Sequence, residues 1–227
     1  MSVFFLSDKI IFPPPHFATK DGLLAVGGDL SQKRLLLAYS LGIFPWFSDE
    51  EPLLWWSPDP RLVLYPGEIK VSRSLKKIIK KGIFRVTMDT AFERVITACA
   101  QVRLQQNERT WIGKDMLKAY CQLHKSGFAH SVEAWQEEEL AGGLYGIALG
   151  RCFFGESMFT YVSNASKAAL VTLAEYLQAL SFDLIDCQIT TKHLLRFGAR
   201  EIPRNIFLKQ LAKALAAPTI KGRWTLR

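Results

Sequence analysis

Apolar and polar positions change rhythm along the chain. Between Val71 and Gly82, Leu75, Ile78 and Ile79 fall on one side of a helix, while Arg73, Lys76, Lys77, Lys80 and Lys81 recur at i, i+3, i+4, i+7 and i+8 on the other. Ser72 can cap this helix and Gly82 can end it. A shorter helix is expected from Ser31 to Leu41, with Ser31 as N-cap and Gly42 as the stop. Further helices are read at Ala91–Cys99, Lys114–Lys125, Lys167–Leu180, Lys192–Phe197 and Arg204–Ala216, and a charged loop at Gln101–Thr110. Period-two alternation marks HSVEAW (130–135), which passes through the polar turn Gln136–Glu139 into LAGGLYGIALG and RCFFGESMF, a meander of three strands. Strands are also expected at Phe84–Met88 and in FDLIDCQI (182–189). Strands alternating with helices around an antiparallel centre predict an α+β (mixed α/β) fold.

The first 62 residues read differently. They hold Pro13, Pro14, Pro15, Pro45, Pro52, Pro58 and Pro60, and the run GLLAVGGDL. This density of turn-formers predicts a small, loop-rich N-terminal domain over residues 1–62, with the main domain over 63–227.

Composition narrows the function. The chain has 227 residues, of which 49% are hydrophobic, so a disordered chain, a collagen-like chain and a small disulfide scaffold are excluded. No uncharged apolar run approaches the ~18 to 20 residues that span a bilayer. MSVFFLSDK is too short, and broken too soon by Asp8 and Lys9, to read as a secretion signal. Cys99, Cys121, Cys152 and Cys187 form no CxxC pair, which predicts reduced thiols in a cytoplasmic protein and no structural metal. Lys and Arg number 29 against 21 Asp and Glu, a net charge of +8. That surplus favours an anionic partner: nucleic acid, an anionic membrane or an acidic small molecule.

The basic face of residues 73–81 suits nucleic-acid phosphates. A membrane-surface helix is disfavoured, because its three apolar residues are needed for docking on the core. In DCQ, strand period puts Asp186 and Gln188 on one face and Ile185 and Cys187 on the other. By the same rule Phe154, Glu156 and Met158 share a face. A carboxylate among apolar neighbours is costly unless paired or functional, so Glu156 and Asp186 are either structural acids bonded to backbone or an Arg, or part of a site. Trp46 in GIFPWF and Trp111 in TWI sit on loop-like segments, which suits stacking on an unpaired base as well as core packing. The four histidines form no set, and His193 is expected to face a helix core or end. GGDL and LAGGLYG match neither a dinucleotide fingerprint nor a P-loop.

Longer runs carry a resemblance. GLLAVGGDLS, AYSLGIFPWF, LLWWSPDPR, TWI, AHSVEAW, GGLYG, GESMF, NASKAAL, LIDCQ and FGAREIPR follow in order along nearly the whole chain. In these the sequence is similar to the leucyl/phenylalanyl-tRNA–protein transferase family. The resemblance implies a small N-terminal domain packed on a C-terminal domain of the GCN5-related acetyltransferase type, with neither metal nor coenzyme A. It implies transfer of Leu or Phe, less readily Met, from aminoacyl-tRNA to the N-terminal Arg or Lys of an acceptor protein, marking it for degradation. A monomer acting in the cytoplasm is expected.

By similarity, Asp186 and Gln188 are the catalytic pair, with Asp186 orienting Gln188 and either taking the proton or binding the cationic acceptor. Tyr39, Trp46, Trp111, Tyr120, Glu156 and Ser157 are expected around the aminoacyl-adenosine. Leu144, Phe153, Met158, Leu170, Leu173 and Ile185 line the apolar donor pocket; relatives often carry Met or Phe where this chain has Leu144 and Leu173. The basic helix would hold the tRNA backbone. Two other classes stand beside this reading. A CoA-dependent N-acetyltransferase would need a pyrophosphate loop, which SNAS before Lys167 does not match. A non-catalytic RNA-binding module would make no demand on Asp186 or on the pocket.

Overall fold

Two sheets divide the strands by their order in the chain. The computed structural model describes residues 3–48, 50–105 and 110–226. The first sheet is built from β1 (Phe4–Leu6), β2 (Leu23–Gly27), β3 (Phe44–Pro45) and β4 (Leu54–Trp56), in the order β1-β2-β4-β3. Helix α1 (Gln32–Ser40) crosses between β2 and β3. Its N-cap is Ser31, whose hydroxyl accepts from the Arg34 amide, and Gly42 leaves it at φ +71°. Proline and glycine density predicts loops here; the strands that form are two to five residues long, with Gly27 ending β2 and Pro45 ending β3.

The second sheet has seven strands, in the order β11-β5-β10-β9-β8-β7-β6. They are β5 (Arg61–Leu64), β6 (Arg85–Met88), β7 (Ala129–Gln136), β8 (Glu139–Leu149), β9 (Cys152–Thr160), β10 (Leu184–Gln188) and β11 (Arg200–Ile202). The predicted meander is β7-β8-β9, antiparallel throughout. β10 joins β9 in parallel, which requires a crossover, and α5 (Ala165–Ala179) supplies it. The remaining helices are α2 (Arg73–Lys80), α3 (Phe92–Gln105), α4 (Lys114–Lys125), α6 (Lys192–Arg196) and α7 (Arg204–Leu215). Among the described residues no helix is long and apolar enough to cross a membrane.

α3 corrects one expectation. Residues 101–105 continue the helix instead of starting a loop, because Ala100 to Gln105 contain no Gly or Pro and charge alone does not end a helix. Residues 106–109 of that expected loop lie outside the described residues. α2 follows its prediction: Ser72 caps it through the Leu75 amide, Leu75 is buried, and Arg73, Lys76, Lys77, Lys80 and Lys81 are exposed. It packs on α5.

The sheet separates two apolar clusters. One holds Tyr39, Phe154, Phe159, Trp111 and Tyr120; the other holds Leu144, Phe153, Leu170, Leu173 and Ile185. Phe154 and Phe159 share a cluster although they are five residues apart, and Met158 packs against the opposite cluster from Phe154. Alternation must therefore slip once between them. The slip lies in the β8–β9 ladder, where Tyr145 pairs Ser157 but the next residue, Gly146, pairs Gly155. Glu156 is the extra residue of a bulge. The expected common face of Phe154, Glu156 and Met158 is corrected accordingly.

Candidate functional site

The parallel ladder between β9 and β10 is short. It runs from Cys152↔Leu184 to Phe154↔Asp186 and ends there. A second irregularity falls at the same level: β10 loses one residue of register against β5 between Asp186 and Gln188, and Gln188 has φ +57°. With a bulge on each, the two strands part. A cavity of about 480 Å³ opens between them, bounded by α5 residues Leu170 and Leu173, by Trp46 and Trp111, and by His193. That volume is in the range of small-molecule sites.

The bulge on β10 also changes which side chains look into the cavity. Ile185, Cys187 and Gln188 all line it, and Asp186 does not. Asp186 and Gln188 therefore do not share a face. The left-handed turn at Gln188 swings its amide to the cavity side, while Asp186 points into the sheet's interior. There Arg61, at the head of β5, meets it in a two-pronged ion pair: Nε to Oδ1 at 2.8 Å and Nη2 to Oδ2 at 2.6 Å. Both residues are fully buried. The Arg61 guanidinium also lies over the Phe44 and Phe207 rings, 4.9 and 4.6 Å from their centroids. Asp186 Oδ1 accepts a further bond from the Gln188 backbone N–H at 3.0 Å, which holds the unusual turn in place. Of the two readings left open for Asp186, the paired structural acid describes its surroundings.

Glu156 is different. It lines the cavity and takes hydrogen bonds from two directions. The Gln188 side-chain N–H donates to Oε1 at 2.9 Å, and the Tyr120 hydroxyl donates to Oε2 at 3.0 Å. Tyr120 in turn bonds the Tyr39 hydroxyl, so a chain of donors runs from α1 through α4 to β9. Burial pushes the Glu156 carboxyl up to about 7. The tyrosine and glutamine bonds oppose that rise, and the negative charge of Asp186 adds to it. Burial first, then the Glu156 charge, raises both phenols well above their usual range, so they stay protonated donors.

The expected residues separate into three groups. Trp46, Trp111, Glu156, Ser157 and Gln188 line the cavity, as do all six donor-pocket residues, Leu144, Phe153, Met158, Leu170, Leu173 and Ile185. Tyr39, Tyr120 and Asp186 stand behind that wall, reaching it through Glu156 and Gln188. Arg73, Lys76, Lys77, Lys80 and Lys81 lie outside it, on the helix that packs against α5.

Sequence reasoning missed several participants. Arg61 was hidden because its partner lies 125 residues away, although an Arg opening the apolar run LVL is itself an anomaly that asks for a buried acid. His193 was expected at a helix core or end; it lines the cavity, and burial, then Lys167 and Arg196, lower its pKa. His124 and His130, read as unrelated, both approach Asp89, at 3.9 and 2.8 Å. Among the described residues no group of His, Cys, Asp and Glu could hold a metal ion.

Comparison with known proteins gives this geometry a context. Residues 63–212 match the family model described as leucyl/phenylalanyl-tRNA protein transferase, and residues 28–59 match the model of that family's N-terminal domain. The chain is 59% identical over 226 residues to the leucyl/phenylalanyl-tRNA–protein transferase of Desulfatibacillum aliphaticivorans, covering 100% of this chain and 97% of that one. It is 56% identical over 224 residues to the protein of the same name from Desulforapulum autotrophicum, covering 99% and 98%. Among solved structures it is similar to an aminoglycoside acetyltransferase from an uncultured soil metagenomic sample, with a TM-score of 0.40 and 12% identity over 52% of this chain and 86% of that one.

The buried pair and the raised carboxyl each generate a test. Arg61→Met leaves the Asp186 carboxylate unpaired in the interior and is expected to lower unfolding free energy by about 3–5 kcal/mol. Adding Asp186→Leu should recover most of that loss, as read by urea unfolding. Glu156 holds its proton more tightly in the folded chain than in the unfolded one, where the carboxyl ionises near 4.5. Between that value and about 7 the folded state binds more protons, so stability falls as pH rises through this window and levels off above it. The full effect is on the order of 3 kcal/mol. Glu156→Gln removes it, so thermal melts should show the variant gaining on the native chain across that window and holding its advantage above it.

Proposed function

The chain belongs to the leucyl/phenylalanyl-tRNA–protein transferase family, and from that premise we propose that the open end of the β9–β10 pair is where its transfer takes place. The enzyme moves a leucyl or phenylalanyl group from tRNA to a protein. The observation that carries our reading of the site is an apolar cavity whose throat is formed by Gln188 bonded to Glu156.

The donor's side chain enters between Leu144, Phe153, Met158, Leu170, Leu173 and Ile185. Burying it contributes roughly 1.5 to 3 kcal/mol. The thioether of Met158 adapts to Leu, Phe and, less readily, Met. Trp46, exposed at the cavity's edge, offers a flat face to the terminal adenosine, Trp111 lines the wall from its buried place in the core, and Ser157 and Glu156 lie beside the aminoacyl group. The lysines of α2 face the acceptor stem and grip phosphates without reading bases, which suits tRNAs of different sequence.

The chemistry needs no external energy, because the aminoacyl ester is already activated. The attacking group is the α-amine of an acceptor whose first residue is Arg or Lys. Its pKa is near 8, so it arrives mostly as an ammonium ion. It loses two protons in all: one leaves to water and one goes to the tRNA 3′ oxygen as the ester bond breaks and the amide bond forms. The Gln188 N–H is committed to Glu156, which leaves the Gln188 carbonyl oxygen to accept from the attacking amine. An amide oxygen does not take up a proton at neutral pH, so Gln188 orients the amine and stabilises its developing positive charge. Holding the two reactants in line can supply ~7 to 11 kcal/mol of the barrier reduction. Asp186, with both oxygens held inside the sheet, acts as a positioning residue for Gln188 rather than as base or acceptor-binding group. The modified acceptor carries a large apolar N-terminal residue, which marks it for degradation. We place the enzyme in the bacterial cytoplasm as a monomer.

The decisive assay combines labelled Phe-tRNA with a peptide beginning in Arg. Label should pass to the peptide, and Gln188→Ala should slow it by on the order of 10²-fold. Transfer at the native rate in both Gln188→Ala and Asp186→Ala would remove the catalytic assignment. Acetylation of the same peptide from acetyl-CoA, without tRNA, would favour an acetyltransferase instead. A second measurement concerns α2: Lys77→Glu with Lys80→Glu should weaken tRNA binding and flatten its salt dependence by about one counter-ion per lost contact.

A further inference from the structure

The last turn of the chain packs against the back of the donor pocket. After α7 the chain crosses the outside of the sheet, held by a bond from the Gly150 amide to the Thr219 hydroxyl at 2.9 Å and by Lys221 above the Phe128 ring at 4.7 Å. Gly127 and Gly222 lie so close that a Cβ on Gly127 would sit 2.4 Å from the Gly222 nitrogen. The tail then turns inward and buries Trp224, which is 2% exposed.

Two interactions fix that indole. The Trp224 amide N–H donates to Asp89 Oδ2 at 2.7 Å. The ring stacks on His130 with centroids 3.7 Å apart and planes 8° from parallel, and His130 Nδ1 is bonded to the same Asp89 oxygen at 2.8 Å. Asp89 Oδ1 takes a third bond, from the Ser131 amide, at 2.8 Å. The indole N–H has no hydrogen-bond partner among the described residues. Trp224 is thus held by its main chain and by ring contact, and what it supplies at this place is bulk.

That bulk meets Phe153. The two ring centroids are 6.0 Å apart, with Tyr176 at 5.3 Å and Phe182 at 6.0 Å completing the nest around the indole. Phe153 lines the cavity on its other side. Its ring also rests over Gly146, where a Cβ would come within 2.6 Å of it. Phe153 is therefore confined between the bare backbone of β8 and the tail's indole, and its position bears on how far the pocket extends.

We propose that Trp224 is a specificity-setting residue of the transfer reaction: by holding Phe153 in the pocket wall it limits the size of donor side chain accepted. This rests on the reading of that cavity as the donor pocket. Removing the indole opens a void directly behind Phe153, the ring withdraws into it, and the pocket deepens. Larger donors then gain relative to smaller ones.

The test measures kcat/KM for Phe-tRNA and Leu-tRNA with one acceptor peptide. In Trp224→Ala the Phe-to-Leu ratio should rise at least threefold, and in Trp224→Phe it should rise less. Phe153→Leu should raise the ratio by itself, and adding Trp224→Ala to it should produce no further rise. A tail that serves only stability would lower both rates in proportion; an unchanged ratio in a folded variant overturns the proposal, as does a shift of equal size with Phe153 already replaced. Should Trp224→Ala fail to fold, Trp224→Phe and Trp224→Leu decide by the same ratio. The native chain is assayed first: no transfer from either donor overturns the activity reading and this inference with it. With transfer established, a ratio moved by Phe153→Leu but not by Trp224→Ala overturns the tail's role alone, and a ratio moved by neither overturns the reading of the cavity as the donor pocket.

Discussion

A buried ion pair holds the sheet together at the point where it divides. Arg61 and Asp186 come from neighbouring antiparallel strands and are shut away from water. Such a pair gives little net stability compared with apolar packing, but either member alone is a heavy burden. Its value lies in geometry. Both carboxylate oxygens are committed, so Asp186 cannot turn toward the cavity, and the Gln188 backbone N–H that it binds is fixed with it. The left-handed backbone at Gln188 is a conformation that a residue with a side chain resists, and this bond offsets the strain.

The paired irregularities explain why a continuous sheet contains a cavity at all. A regular parallel ladder would zip β9 and β10 along their length and leave no space between them. Bulges at Glu156 and before Gln188 end the ladder at one level and turn the polar side chains of both strands toward the gap. The same break places Phe153 and Met158 on the apolar side of the opening and Glu156 on the tyrosine side. A pocket with one greasy wall and one hydrogen-bonding wall follows from the two extra residues.

Much of the framework could be read from the chain. Ser31 and Ser72 cap the helices they precede, and the β7-β8-β9 meander follows its alternation. The six apolar pocket residues came from family resemblance, not from periodicity. Period-two reasoning failed at the site for a physical reason: one inserted residue reverses every facing beyond it. Gly155, next to the inserted Glu156, is the one bulge signal in GESMF, and DCQ carries none. Contacts across long stretches were equally hidden. Arg61 with Asp186, and Asp89 with Trp224, join residues more than a hundred positions apart. Charge also misled, since the polar end of α3 looked like a loop while remaining helix.

The tyrosine relay joins stretches of sequence that would otherwise be separable. Tyr39 belongs to the helix of the proline-rich leading segment, yet its hydroxyl is the far end of the chain that terminates on Glu156. The leading segment is therefore wired into the cavity's hydrogen-bonding wall and cannot be treated as a detachable appendage. A chimera that exchanged this segment between relatives would have to bring a phenol to the same spot, or leave Tyr120 donating to the carboxylate without its own upstream donor.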